Sequence, residues 1–404
     1  MLEDFFDSLL SFPSYWVVEK IAHYPLTDEV FIYIKFNTKE YKEKHPGAYH
    51  GLHDYNDYRT WRHLDILQYK TYIKARLPRI KDSKGGISTI VPPWGSLVDR
   101  HTYLFEKRVI DTLLATKNQT KTSGLLQCAF SMVNRIIHKS TQRGLGRRDK
   151  NTVYEQLGID EKSFKKGHNY ITVLSDPGTG RIIDVSEGRT KASCKKLLND
   201  NLKAEQIEKV EQVSMDMWEA FMNTVKEILP QSKIVHDRFH LVQYLNKAVD
   251  SVRRREVKEH EELKNSRYAL LKNQFNLTVN QYFKFEEVLS LNTKVSLAWR
   301  LKESFKGLFN SPGYPEAHSR FMDWLSFCNW ENIPEVSKVA RMFANHVVGV
   351  CNALVETLSN AMAERLNGKI QEIKTIGRGY NSFLNFRSAI LFFNGGLNLY
   401  PQQI

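Results

Sequence analysis

Three observations predict an α/β protein with a long helical stretch. Between Gly158 and His240, short runs rich in Ile, Val, Tyr and Thr, punctuated by Gly, Pro and Asp, read as five strands with one helix before the fourth. After His240 the pattern is helical for more than a hundred residues, and before Gly158 a small strand-rich segment gives way to helices at Asp99. The chain has 404 residues, 42% hydrophobic and 12% aromatic, enough for two or three domains with well-buried cores.

Residues 1–58 combine a short amphipathic start, a strand-like VFIYIKF and a polar loop rich in His and Tyr. The opening MLEDFFDSLL places acids where an export signal carries bases, and no apolar run approaches the ~20 residues that cross a bilayer. An intracellular chain without a membrane partner is therefore expected. Within a β unit at 59–98, residues 63–94 alternate bases with apolar residues, as in YKTYIKAR up to Arg76, which predicts half-exposed strands with cationic outward side chains, Arg79 among them. KDSKGG reads as a turn, and TIVPPW closes this small β unit.

From residue 99 to 150 the periodicity is helical. HTYLFEKRVIDTLLAT reads as one helix, and KTSGLLQCAFSMVNRIIHKSTQRG as two short ones around the corner from Cys128 to Phe130. Two helices across a tight turn suit a helix-turn-helix whose second helix, from Ser131 to about Thr141, offers Ser131, Asn134, Arg135 and His138 to a major groove. Three packed helices without DNA give the same pattern. RRDK, with Arg147 and Arg148, makes a charged linker to the strand-rich stretch.

Charge is informative once it is located. Residues 59–150 hold 19 Lys and Arg against 6 Asp and Glu, which accounts for the whole formal charge of +13, while the two flanks cancel. Such asymmetry suggests a polyanion partner, although a solvated basic face has the same composition. Cys128, Cys194, Cys328 and Cys351 lie far apart without a CxxC pair, so reduced core thiols are expected rather than a zinc ribbon or a disulfide framework.

Two strands of the central stretch are read as closing on an acid, Asp160 and Asp216. A carboxylate ending an apolar strand is costly unless a cation sits against it, so the pair invites a metal. With Glu364 on a later helix they form an oxygen-donor set suited to two hard divalent cations and in-line phosphoryl transfer. Each has a plainer reading: Asp160, like Glu161, as a turn or ion-pair residue, Asp216 as the cap of the helix beginning MWEAF, and Glu364 as a solvent-facing acid near Arg365 and Lys369. Asp237 also follows a strand and rivals Asp216 as a ligand; a supporting role with His240, orienting the ligands, is preferred.

GIDEKSFKKGHNYITVLSDPGTGRIIDV, the DMW after the fourth strand, KIVHDRFHLVQYLNKAVDSVRR and LSNAMAERLNGKIQEIKTIGRGYNSFLNFRSAILF resemble, in order, the DDE domain of ISL3-type insertion-sequence transposases, within a likeness over residues 59–399. The string Asp237, Arg238, Phe239, His240 is similar to the C-or-D-x-x-H motif of several DDE groups. The resemblance implies a ribonuclease-H-like α/β catalytic core in two parts, 151–240 and 351–404, around a helical insertion at 241–350. Ahead of it would stand an N-terminal segment (1–58), a basic β unit (59–98) and a helix-turn-helix domain (99–150). The triad would fall on Asp160, Asp216 and Glu364 with Mg²⁺, or Mn²⁺ in its place; Asn367, Lys369, Lys374 and Arg378 would join the basic segment in holding DNA.

The implied partners are the element's terminal inverted repeats and target DNA, bound by a homodimer or larger assembly in a bacterial cytoplasm, at the nucleoid. One departure stands out: RHLDILQYKTYIKARLPRIKDSKGG keeps the strands that many relatives place around a zinc ribbon but has no Cys, so no zinc is expected.

Overall fold

Two alternating runs, Val30 to Phe36 and Thr71 to Ala75, meet edge to edge at the centre of the first of two units. The computed structural model describes residues 2–81, 85–165, 169–356 and 360–401, with backbone alone for 360–364. One unit comprises Met1–Arg148 with Leu397–Ile404, the other Asp149–Gly396.

The first unit opens with α1 (Leu2–Leu10), β1 (Trp16–Tyr24), β2 (Glu29–Phe36), α2 (Thr38–Lys44), β3 (Leu52–Tyr55), β4 (Arg59–Arg62), β5 (Lys70–Ala75), β6 (Pro78–Lys81) and β7 (Ile87–Thr89). One sheet has the order β1-β2-β5-β4 and the other β3-β6-β7. β2 pairs with β5 in parallel, Ile32 beside Ile73, and both inner faces close over Trp16, Trp61 and Trp94. The expected boundary at residue 58 is therefore absent: 1–58 supplies half of the sheet that 59–98 completes, because neither half covers its apolar face alone.

Helices α3 (Tyr103–Thr116), α4 (Gln119–Leu125) and α5 (Phe130–Gly146) follow. Thr102 caps α3 through the Phe105 amide, and Asn118 caps α4 through that of Lys121. The last helix runs beyond the expected Thr141 because Ser140, Thr141 and Gly144 continue its buried face, with Gly144 against Leu397. The Glu106 carboxylate, fully buried, meets Arg143 and Lys139 of α5 and His101. Burial opposes its ionisation, but these donors outweigh burial and hold its carboxyl below the ordinary value.

The second unit carries β8 (Gln156–Lys165), β9 (Asn169–Asp176), β10 (Arg181–Glu187), α6 (Lys191–Asn201), α7 (Ala204–Ile207), β11 (Gln212–Met215), α8 (Glu219–Ile228) and β12 (Lys233–His236). The five expected strands form one sheet ordered β10-β9-β8-β11-β12; β8, β9 and β10 are antiparallel, and β8, β11 and β12 parallel. Two helices rather than one precede the fourth strand. Asp160 does not end its strand, as the sequence suggested: β8 continues beside β9, with Asp160 opposite Val173, while its other neighbour β11 stops at Met215.

Helices α9 (Arg238–Glu256), α10 (Arg267–Leu271), α11 (Val279–Ser290), α12 (Lys294–Lys306), α13 (Tyr314–Glu331), α14 (Pro334–Asn345) and α15 (Val347–Val355) enclose a core of their own around Phe305, Phe321, Trp324 and Phe343. Phe285, Trp299, Phe305 and Phe309 belong to that core or pack against it, whereas Tyr268, Phe275, Tyr282 and Phe283 are exposed. Helix α16 (Asn360–Ile376) and α17 (Phe383–Asn394) finish the unit. Gly379, at φ +89, provides the left-handed turn between them, and Arg387 of α17 clasps Asp184 of β10 with two bonds of 2.7 and 2.8 Å. Among the described residues no helix is long and apolar enough to cross a membrane.

His63, the residue after β4, is buried, its Nδ1 3.0 Å from the Thr102 hydroxyl. Burial, reinforced by the Arg62 charge, lowers its imidazole from 6.5 to about 4. Between those values only the unfolded chain takes up this proton, so the stabilisation is complete above pH 6.5 and is lost as pH falls towards 4. We expect unfolding free energy, measured by urea titration, to drop by roughly 1–3 kcal/mol over that window, and His63→Gln to flatten that part of the profile.

Candidate active site

Ile159 of β8, Met215 of β11 and His236 of β12 lie side by side in one row, and all three are buried. Because side chains alternate along a strand, the next row faces the other way. That row is Asp160, Asp216 and Asp237. The three carboxylates border a cleft together with His240 of α9 and Leu366, Asn367 and Ile370 of α16.

Each carboxylate is held differently. Asp160 accepts its neighbour's amide, Glu161 N, at 2.7 Å and faces Lys162 Nζ at 3.1 Å. Asp216 accepts the Met217 amide at 2.7 Å and the Tyr244 hydroxyl at 3.2 Å. It does not cap the next helix, whose N-terminal flank is Trp218. Asp237 does act as a cap, at the start of α9: its Oδ1 accepts the Phe239 amide at 2.8 Å. Its Oδ2 lies 3.8 Å from His240 Nδ1, which is 4.0 Å from Asp216 Oδ1.

The row is short of positive charge. Burial raises the Asp237 carboxyl, His240 opposes that rise, and the Asp160 and Asp216 charges add to it. Tyr244 is pushed up to about 12 by burial and by Asp216. His240 Nδ1 is buried without a hydrogen-bond partner. An oxygen-rich, acid-heavy cleft of this kind fits a hard divalent cation in its donor chemistry. Among the described residues, however, no group of three His, Cys, Asp or Glu side chains stands where it could hold an ion. Glu364 lies in α16, three residues before Asn367; its side chain is outside the described residues.

The wall behind the row comes from the helical stretch. Asn352 of α15 donates to the Ile234 carbonyl at 2.8 Å, and Gly349 passes so close to His236 that a Cβ there would stand 2.5 Å from its Nε2.

The other expected binding residues have varied surroundings. Ser131 and Arg135 are exposed on α5, and Asn134 and His138 are half-buried. Arg76 donates to the Asn56 and Tyr55 carbonyls, Arg79 pairs with Asp54, and Arg147 donates to the Tyr400 carbonyl at 2.6 Å. Arg148 is half-buried. Lys374 reaches the Ser163 carbonyl at 2.8 Å, Arg378 occupies the turn after α16, and Lys369 faces a separate pocket. Sequence reasoning missed Tyr244 and Lys162. Tyr244 could have been found from its place one turn beyond His240, on the helix that Asp237 starts.

Residues 157–390 match the ISL3 group of DDE transposases, a family described as transposase. The chain belongs to that family. It is similar to the transposase for insertion sequence element IS1557 of Mycobacterium tuberculosis, 28% identical over 354 residues that span 80% of this chain and 79% of that one. It is also similar to the transposase for insertion sequence element IS1001 of Bordetella parapertussis, 24% identical over 350 residues, 82% and 84% of the two chains. As an ISL3 transposase, it is an enzyme acting on DNA.

Gly349→Ala tests how firmly the wall fixes the acidic row. The added methyl group has no room beside the His236 ring, so we expect a loss of about 1–3 kcal/mol in urea unfolding.

Proposed function

We propose that this transposase binds the terminal inverted repeats of its own insertion sequence, hydrolyses the strand at each end and joins the exposed 3′ hydroxyls to target DNA by transesterification. The observation that carries this reading is the single row of Asp160, Asp216 and Asp237 opening on a cleft beside α16. The β10-β9-β8-β11-β12 order, antiparallel then parallel, supports a ribonuclease-H-like core. The α3–α5 group in the most basic part of the chain supports a helix-turn-helix that presents Ser131 and Arg135 to DNA.

Asp160, Asp216 and Glu364 would hold Mg²⁺, with Mn²⁺ as a substitute. Bound there, divalent cations activate the attacking oxygen and stabilise the leaving one. Asp216 is the better second ligand than Asp237 on two grounds: its side chain is 24% exposed against 9%, and Asp237 is already engaged in capping α9. Tyr244 holds the Asp216 carboxylate, and His240 stands between the two acids. Two ends must be processed together, so the working form is a homodimer or larger assembly on DNA.

Strand cleavage and joining on a labelled element-end duplex with Mg²⁺ tests the assignment. The native chain is expected to nick and join, Asp216→Asn to be inactive and Asp237→Asn to retain measurable activity; the reverse order would exchange the two acids. Binding without cutting under any divalent metal would leave a DNA-binding relative instead. On the same substrate Tyr244→Phe should slow cleavage on the order of tenfold with an unchanged melting temperature, since it removes a supporting hydrogen bond and little packing.

A further inference from the structure

A second pocket lies elsewhere in the second unit, and its character is opposite to that of the acidic cleft. The turn between β9 and β10 gives it Thr179 and Arg181, α16 gives Arg365 and Lys369, and the end of α17 gives Asn394. None of the three cations makes an ion pair with a described residue, unlike Arg387 and Arg189, which are committed to Asp184 and Glu161. Asp176, the cross-strand neighbour of Arg181, is already engaged: its carboxylate accepts the Gly178 amide at 2.9 Å and the Thr179 hydroxyl at 2.6 Å. Asn394 is 8% exposed, and its Nδ2 is buried with no acceptor. An uncompensated buried donor costs about 1–3 kcal/mol. Among the described residues, three cations without an ion-pair partner and one buried orphan amide donor border a single cavity, a donor set complementary to an anion.

Helix α16 relates this pocket to the cleft. Its Leu366, Ile370 and Ile373 are buried. At 3.6 residues per turn, Arg365 and Lys369 share one flank, roughly 200° round from Asn367 on the cleft side. One rigid element therefore presents an acidic site on one side and a basic site on the other.

We propose that the basic pocket is a phosphate-binding site that seats a DNA backbone phosphate beside the acidic cleft, fixing where the strand lies before it is cut. Arg181 and Arg365 supply planar guanidinium donors, Lys369 a point charge, and Asn394 an amide donor once it turns about its terminal torsion. The DNA assignment rests on the transposase reading above; the anion site itself does not.

The test uses the full chain without divalent metal. Inorganic phosphate should raise the melting temperature of the native protein. Arg181→Gln and Arg365→Gln, both at exposed positions, should melt like the native chain without phosphate and lose most of that rise. On a short DNA duplex each variant should weaken binding, and the slope of log affinity against log salt should shrink by about 0.9 for the lost phosphate contact.

An unaltered phosphate response in both variants would overturn the site. A lost phosphate response with unchanged DNA affinity and salt slope would show a site for a free anion and overturn the DNA assignment. Asp216→Asn, which removes cleavage under the proposed function, should keep the phosphate response in full. If the variants lose the response while the native chain cuts no DNA, the pocket stands and the cleavage reading falls.

Discussion

The second unit depends on the row in which Ile159, Met215 and His236 are paired. Burying that row forces the next residue of each strand to the opposite face, and all three of those residues are aspartates. A slip of one residue in β11 or β12 would bury a carboxylate and expose an apolar side chain, so the register is tightly specified. It is reinforced from outside the sheet: α15 contacts β12 through the Asn352 bond to Ile234 and through the space that Gly349 leaves for His236. The long helical stretch thus acts as a clamp on the last strand of the sheet as well as a body with its own core.

The three carboxylates are unequal in exposure and surroundings, and the proposed roles rest on that inequality. Asp237 is the most enclosed, and ionising it is opposed both by burial and by the two charges beside it. Its amide bond at the start of α9 recovers part of the cost, since an anion at a helix N-terminus is stabilised. Asp160 and Asp216 keep more contact with solvent, and their neighbours Lys162 and Tyr244 can donate without closing off the oxygens.

Much of this was legible in the sequence. Period-two runs gave the number of strands, and the acids following Ile159, Met215 and His236 marked the candidate site, which the pairing then gathers into one row. What the sequence concealed was non-local. The parallel pairing of β2 with β5 joins segments that each read as self-contained, because alternation shows which face is buried and not which strand covers it. The basic surplus of 59–150 overstated the charge available to a partner: Arg79 and Arg143 meet carboxylates, as does Lys139, and Arg147 turns to the Tyr400 carbonyl. Composition counts cations, and only geometry shows which are already paired. The exposed Tyr268, Phe275, Tyr282 and Phe283 carry the same lesson for aromatics.

Helix α16 shows why a polyanion substrate suits this arrangement. An acidic cleft alone repels a phosphodiester, and a cation within it offsets that repulsion only locally. Cations on the other flank of the same helix, paired with no described acid, would attract the backbone without entering the cleft or neutralising its carboxylates. Since Arg365, Asn367 and Lys369 ride on one helix whose buried face packs Leu366, Ile370 and Ile373, the two sites cannot drift apart without breaking that packing. The distance between attraction and chemistry is therefore set by the helix itself.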